Sequence, residues 1–167
     1  MRKVLSMIAM ISVFAMVLTF AGCGGGSGSA EDVAEKFITS FFEADAAGIM
    51  DCVHDMALEG EDRDEMEEEL QDMLDMILET IEEQSDGDWD YSIDNVEVTD
   101  DDSDDLIEEI ESEFDLKKKD LESIEEAAVV EVEITLEADG EEEETSFEFL
   151  CAKIDGGWYI MNPSEMF

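Results

Sequence analysis

The side chains best placed for chemistry begin near the start of the chain. Cys23 directly follows Ala21 and Gly22, and Val4 to Phe20 runs without a charge behind Arg2 and Lys3. A thiol directly after small residues is an accessible nucleophile. A basic start, an apolar run and small residues are together the layout of a secretory leader. Two further thiols, Cys52 and Cys151, remain to pair with each other or to stay reduced, according to the redox state outside the cell. His54 is the single histidine, so no zinc set can be assembled around it, and it reads as a polar residue in a turn. Asp100, Asp102, Asp104 and Glu111 fall at positions 1, 3, 5 and 12 of a calcium-loop spacing, but Asp105 stands where that loop needs Gly for its sharp turn. There is no Gly-rich phosphate loop and no Ser/His/Asp set.

The stretch Phe20-Ala21-Gly22-Cys23 resembles the lipobox of bacterial lipoproteins, with Phe20 where an aliphatic residue is usual. That resemblance implies cleavage between Gly22 and Cys23 and a diacylglyceryl group on Cys23. Each buried methylene adds about 0.8 kcal/mol of membrane affinity, so two acyl chains anchor stably where one does not. The competing reading is an uncleaved transmembrane helix, because Val4 to Ala21 approaches the roughly 17 to 25 residues that span a bilayer. Either way the remainder lies on the extracytoplasmic side of the cell membrane. Residues 24–29 form a Gly/Ser linker with an r.m.s. reach of roughly 13 Å. That exceeds the Debye length of about 8 Å at physiological salt, so an acidic body can stand clear of an anionic bilayer.

Loss of residues 1–22 leaves 6 basic against 50 acidic residues, a net charge of −44. Nucleic acid and anionic membrane surfaces are therefore excluded as partners. The charge serves solubility, and it also attracts cations or cationic peptides. Roughly 140 residues suffice for one domain with its own core, expected over 30–167.

Several elements must position these side chains. Ser29 is a good N-cap, and Val33, Phe37 and Phe41 with Ala34, Ile38 and Phe42 make an apolar helical stripe that ends near Asp45. Asp45 caps a short second helix carrying Ile49, Met50 and Val53 inward. Glu61 to Glu83 reads as a long third helix with Met66, Leu70, Leu74, Ile77 and Ile81 on one face. The period then changes to two: Trp89, Tyr91 and Ile93 alternate, and Val96 and Val98 continue with shifted parity, as a bulge at Asp94-Asn95 would produce. Asp104 to Phe114 reads as a helix, followed by Lys117, Lys118 and Lys119, which complement its C-terminal dipole. Val130 to Leu136, an Asp139-Gly140 turn, Thr145 to Ile154, an Asp155-Gly156-Gly157 turn and Trp158 to Met161 read as an antiparallel meander. The fold class expected is α+β, with N-terminal helices packed on one face of a curved antiparallel sheet.

The first amphipathic helix, the short Asp45 to Val53 segment and the closing Ile154-Asp155-Gly156-Gly157-Trp158-Tyr159-Ile160 hairpin together resemble the NTF2-like superfamily. In particular they look like small Gram-positive lipoproteins carrying a DUF4878-type domain. The resemblance implies a cystatin-like cone, a sheet wrapped around the first helix, with Phe37, Phe41, Trp89, Tyr91, Phe147, Phe149 and Trp158 facing an interior pocket. It also implies that dimerisation through the outer sheet face is common. Enzymes of the superfamily hold Asp, His or Tyr inside the cone, and here Tyr91 is the one inward group able to act as an acid. The expected function is a non-catalytic binding module for an envelope protein or a small apolar ligand, without a cofactor. Two alternatives stand beside it. One is a small lyase or isomerase using Tyr91 and a carboxylate, the other a calcium-dependent surface module.

Overall fold

The computed structural model describes residues 28–58, 62–85, 89–114, 121–138 and 140–162. The leader, Gly22, Cys23 and Lys117 to Lys119 lie outside the described residues.

Ser29 opens helix α1 (Ala30–Phe42), its Oγ accepting the Asp32 N–H at 3.1 Å. Val33, Ala34, Phe37, Ile38 and Phe42 are buried along one face. The chain leaves α1 through Ala44, held at φ 53°, and this turn presents Asp45 to cap α2 (Ala46–Cys52). The Asp45 Oδ1 accepts the Gly48 N–H at 3.0 Å. A side chain at Gly48 would collide with both the Asp45 carboxylate and the Ser40 hydroxyl, so this cap requires glycine. A 3₁₀ turn (Asp55–Leu58) follows, then the long α3 (Arg63–Gln84), capped by Asp62. α3 buries Leu74, rests Met66 and Leu70 on the core, and is tied to the α1–α2 turn by Gln71, whose Nε2 donates to Ala44 O at 2.9 Å. Met76, off the apolar stripe, is 61% exposed, whereas Ile77, Leu78 and Ile81 on the stripe stay half-buried.

Strands β1 (Trp89–Asp100), β2 (Ile124–Ala138), β3 (Glu141–Ile154) and β4 (Gly157–Ile160) pair antiparallel in chain order. The register slips between Ile93 and Asn95, where the bulge was expected, and again between Val98 and Asp100. Asp155 and Gly156, at φ 52° and 84°, form the two-residue connection between β3 and β4, with both dihedrals on the side that a type I′ hairpin requires. α1 touches all four strands, so the full width of the sheet packs against this one helix.

The architecture is α+β, as expected, with one difference. Helix α4 (Ser103–Phe114) packs on the opposite face of the sheet from α1, where Leu106 and Ile110 meet Ala127, Leu150, Ala152 and Ile154. The reason lies in the strands: at this end both faces of β2 and β3 are apolar, so a second layer is needed to exclude water. Farther along, the residues facing away from α1 become acidic and no described helix covers them.

Candidate functional site

The seven aromatic positions all belong to or pack against one hydrophobic cluster between α1 and the sheet. Phe37 and Phe149 are fully buried with ring centroids 5.4 Å apart, and Phe41, Trp89, Tyr91, Phe147 and Trp158 pack half-buried against the same cluster. Phe42, left off the inward set, belongs there as well, stacking on Tyr91 at 4.4 Å and lying 6.3 Å from Trp89. Burial pushes the Tyr91 hydroxyl above its ordinary pKa, with repulsion from Glu43 adding to the effect and a hydrogen bond with the Thr39 side chain opposing it.

Cys52 and Cys151 are both free, fully buried thiols in this core. Cys52 donates to Gly48 O at 3.2 Å and Cys151 to Phe149 O at 3.7 Å. Burial pushes Cys52 to about 12 and raises Cys151 further still, helped by the neighbouring Cys52. Neither is a thiolate nucleophile at neutral pH.

A polar cleft sits where α2 meets β4. Val53 bridges to Ile160, which brings His54 beside Tyr159 with rings 4.8 Å apart, edge to face. Asp51, Asp55 and Arg63 complete the lining of a cleft of about 280 Å³. The His54 Nδ1 accepts the Met56 N–H at 3.2 Å, which in the neutral ring leaves the proton on Nε2. Burial, assisted by Arg63, lowers its pKa against the opposing pull of Asp55 and Asp155. Arg63 donates to Met50 O at 2.6 Å, to Val53 O at 2.7 Å and to Asp55 at 3.0 Å. Its guanidinium closes the carbonyl end of α2 rather than reaching for a ligand. Sequence reasoning gave His54 a turn and missed Tyr159 and Arg63.

The calcium-spaced acids are not brought together. α4 already begins at Ser103, so Asp104 and Glu111 lie on one helix, separated along its axis by about 10 Å at 1.5 Å per residue. Asp100 instead accepts the Asp102 N–H at 3.0 Å. Among the described residues, no group of three or more His, Cys, Asp or Glu side chains is placed to hold a metal ion.

The remaining concentration of ionisable groups is the sheet face that points away from α1. Val130, Val132 and Ile134 point into the core, so Glu131, Glu133 and Thr135 point out. Register then lines up acids across strands: Glu97 opposes Glu131, which opposes Glu148, and Asp90 opposes Glu137, which opposes Glu142. Between these rows the Asp94 bulge opens a shallow cleft of about 390 Å³ lined by Asp94, Glu133, Thr135, Glu144 and Ser146. Thr135 donates to Asp94 at 2.5 Å. Asp90 is 5% exposed and its Oδ1 has no hydrogen-bond partner. Burial raises its pKa, a hydrogen bond from the Tyr91 backbone opposes the rise, and repulsion from Glu137 adds to it.

Comparison with known proteins returns one architectural likeness. The chain is similar to a candidate NTF2-like transpeptidase from Campylobacter jejuni, with a TM-score of 0.39 and 13% identity over 78% of this chain and 94% of that one. No protein-family profile matches the chain, and no curated protein is similar to it. Among the described residues no helix is long and apolar enough to cross a membrane.

Proposed function

We propose that the protein is an envelope lipoprotein, anchored outside the cell through Cys23, whose NTF2-like, DUF4878-type domain is a non-catalytic binding module. The observation that supports the second half of this reading is the burial of the aromatic cluster. Phe37, Phe42 and Phe149 belong to the cluster between α1 and the sheet, and they are all buried. Proton transfer also needs an acid and a base with pKa values moved toward neutrality. Tyr91 is moved the other way, and its hydroxyl is engaged by Thr39. In the cleft beside α2, the Nδ1 lone pair of His54 is already spent on a backbone N–H. A module without interior chemistry acts through its outside, and the outside is where the patterned charge lies.

The anchor is supported by the leader layout and by the linker after it. Intact-mass analysis of the native protein recovered from membranes is expected to show a chain beginning at a diacylglyceryl-modified Cys23. A retained Met1 or an unmodified Cys23 refutes the anchor. For the non-catalytic half, Tyr91→Phe is expected to restore whatever phenotype deletion of the protein produces. Failure of a folded Tyr91→Phe protein to do so would restore the lyase or isomerase reading.

A further inference from the structure

We propose that the acidic face of β1, β2 and β3 docks an extended, lysine- or arginine-rich polypeptide segment of a partner, a proposal that rests on the binding-module reading and names the chemistry of its partner. Three observations lead there. The first is the register, which stacks Glu97, Glu131 and Glu148 in one row and Asp90, Glu137 and Glu142 in another. Like charges directly opposite on a sheet are destabilising, so these rows oppose the fold that carries them. The described cations are engaged elsewhere: Lys36 pairs with Asp51, Arg63 with Asp55 and Lys153 with Glu126.

The second observation is Asp90. It stands on this face opposite Glu137, almost wholly buried, with a carboxylate oxygen that no protein group satisfies. A buried polar atom without a partner carries a full desolvation cost, and an incoming cationic donor would remove it. The third is shape. The two rows are six residues apart along β2, about 20 Å at 3.3 Å per residue, with the Asp94 cleft between them. That length matches an extended segment of about six residues at the same rise.

Other occupants fit less well. A second copy of the chain would bring identical acidic rows against these. A single divalent ion needs converging carboxylates, and here the acids are spread along strands with no metal-holding group among the described residues. Evenly spaced carboxylates on a strand face suit evenly spaced ammonium or guanidinium groups, whose attraction sets both association rate and specificity.

The test uses the full lipidated chain in neutral detergent and a fluorescent oligolysine peptide, followed by anisotropy at about 0.05 and 0.2 M salt. The triple variant Glu97→Gln, Glu131→Gln, Glu148→Gln is expected to fold, since it removes repulsion, and to weaken binding at least tenfold. Asp90→Asn is expected to weaken it severalfold. A charge-matched control on α3, Asp72→Asn, Glu79→Gln, Glu83→Gln, is expected to change it less than twofold. Equal losses in both triple variants, or none in the sheet variant, overturn the proposal. So does displacement of the peptide by micromolar calcium, or sedimentation of the free protein as a dimer that the sheet variant abolishes. None of these outcomes touches the anchor or the Tyr91→Phe result, so the binding-module reading stands or falls separately.

Discussion

Glu131 offers the most direct measure of whether the acidic rows oppose the fold. It lies in register between Glu97 and Glu148 and is half-buried. Side chains opposite each other on neighbouring strands have Cβ atoms about 5 Å apart, which places the carboxylates at roughly 6 Å. Two unit charges at that distance repel by about 0.7 kcal/mol even at the dielectric of water, hence about 1.4 kcal/mol for two neighbours. A Debye length of about 10 Å at 0.1 M salt reduces this to about 0.8 kcal/mol, and one of about 3 Å at 1 M to about 0.2 kcal/mol. Glu131→Gln, which keeps the shape and removes the charge, should therefore raise the melting temperature by about 2 to 4 °C at 0.1 M salt, given the scaling for a domain of this size. The gain should nearly vanish at 1 M. Any removed acid relieves some global self-repulsion, so the control is Glu141→Gln, whose cross-strand partner is Ala138. Differential scanning calorimetry of the three proteins at both salt concentrations decides the matter. A gain at Glu131 no larger than at Glu141, or one that persists at 1 M salt, would refute the charge-row argument.

Three further outcomes are expected. Arg63→Met should cost about 2 to 4 kcal/mol in urea unfolding, because it leaves the carbonyls of Met50 and Val53 without their charged donor and Asp55 without its pair; a loss below about 0.5 kcal/mol would show that water replaces the guanidinium. His54 should titrate by NMR below its ordinary 6.5, since burial disfavours its charged form. With the folded value lower than the unfolded one, the stabilisation is complete above 6.5 and is lost as pH falls through the folded value; His54→Gln should flatten that part of the stability profile, and a midpoint above 6.5 would contradict the assigned environment. Cys52 and Cys151 should resist a water-soluble disulfide reagent at pH 8 until urea unfolds the domain, and rapid labelling of the native protein would contradict their burial.

Local signals in the sequence were strong where each element answers to its own residues. The i, i+4 stripe of Val33, Phe37 and Phe41, the caps at Ser29 and Asp45, the parity shift at Asp94 and the turn at Asp155-Gly156 all encode their structure within a few neighbours. Strand ends were harder to read. β3 starts at Glu141, but a run of four glutamates carries no alternation, and only pairing with β2 makes it a strand. β2 begins at Ile124, where Ala127 and Ala128 face two different cores and so show no period of two. The placement of α4 opposite α1 was hidden for the same reason. Arg63 opposes the usual helix-dipole preference at the start of α3, and its reason for being there lies on α2. His54 and Tyr159 meet across the fold, a contact that no local pattern announces. The calcium spacing failed because spacing alone does not say where a helix begins.

The acidity of the chain therefore has two parts with different physical standing. Acids on the exposed side of α3, such as Asp72, Glu79 and Glu83, sit on a helix surface where solvation accounts for them. Those on β2 cannot be placed independently of their neighbours, because a strand that buries Val130, Val132 and Ile134 must project Glu131 and Glu133 to one side. Solubility alone would be served equally well by acids staggered against Ser, Thr or Asn, as happens where Asn95 opposes Glu133 and Glu133 opposes Ser146. Rows of directly opposed carboxylates add nothing to solubility beyond this and subtract from stability, by about 0.2 to 1 kcal/mol for each pair. A face that retains such rows, next to a buried carboxylate oxygen with no partner, is better matched to a cationic surface than to water.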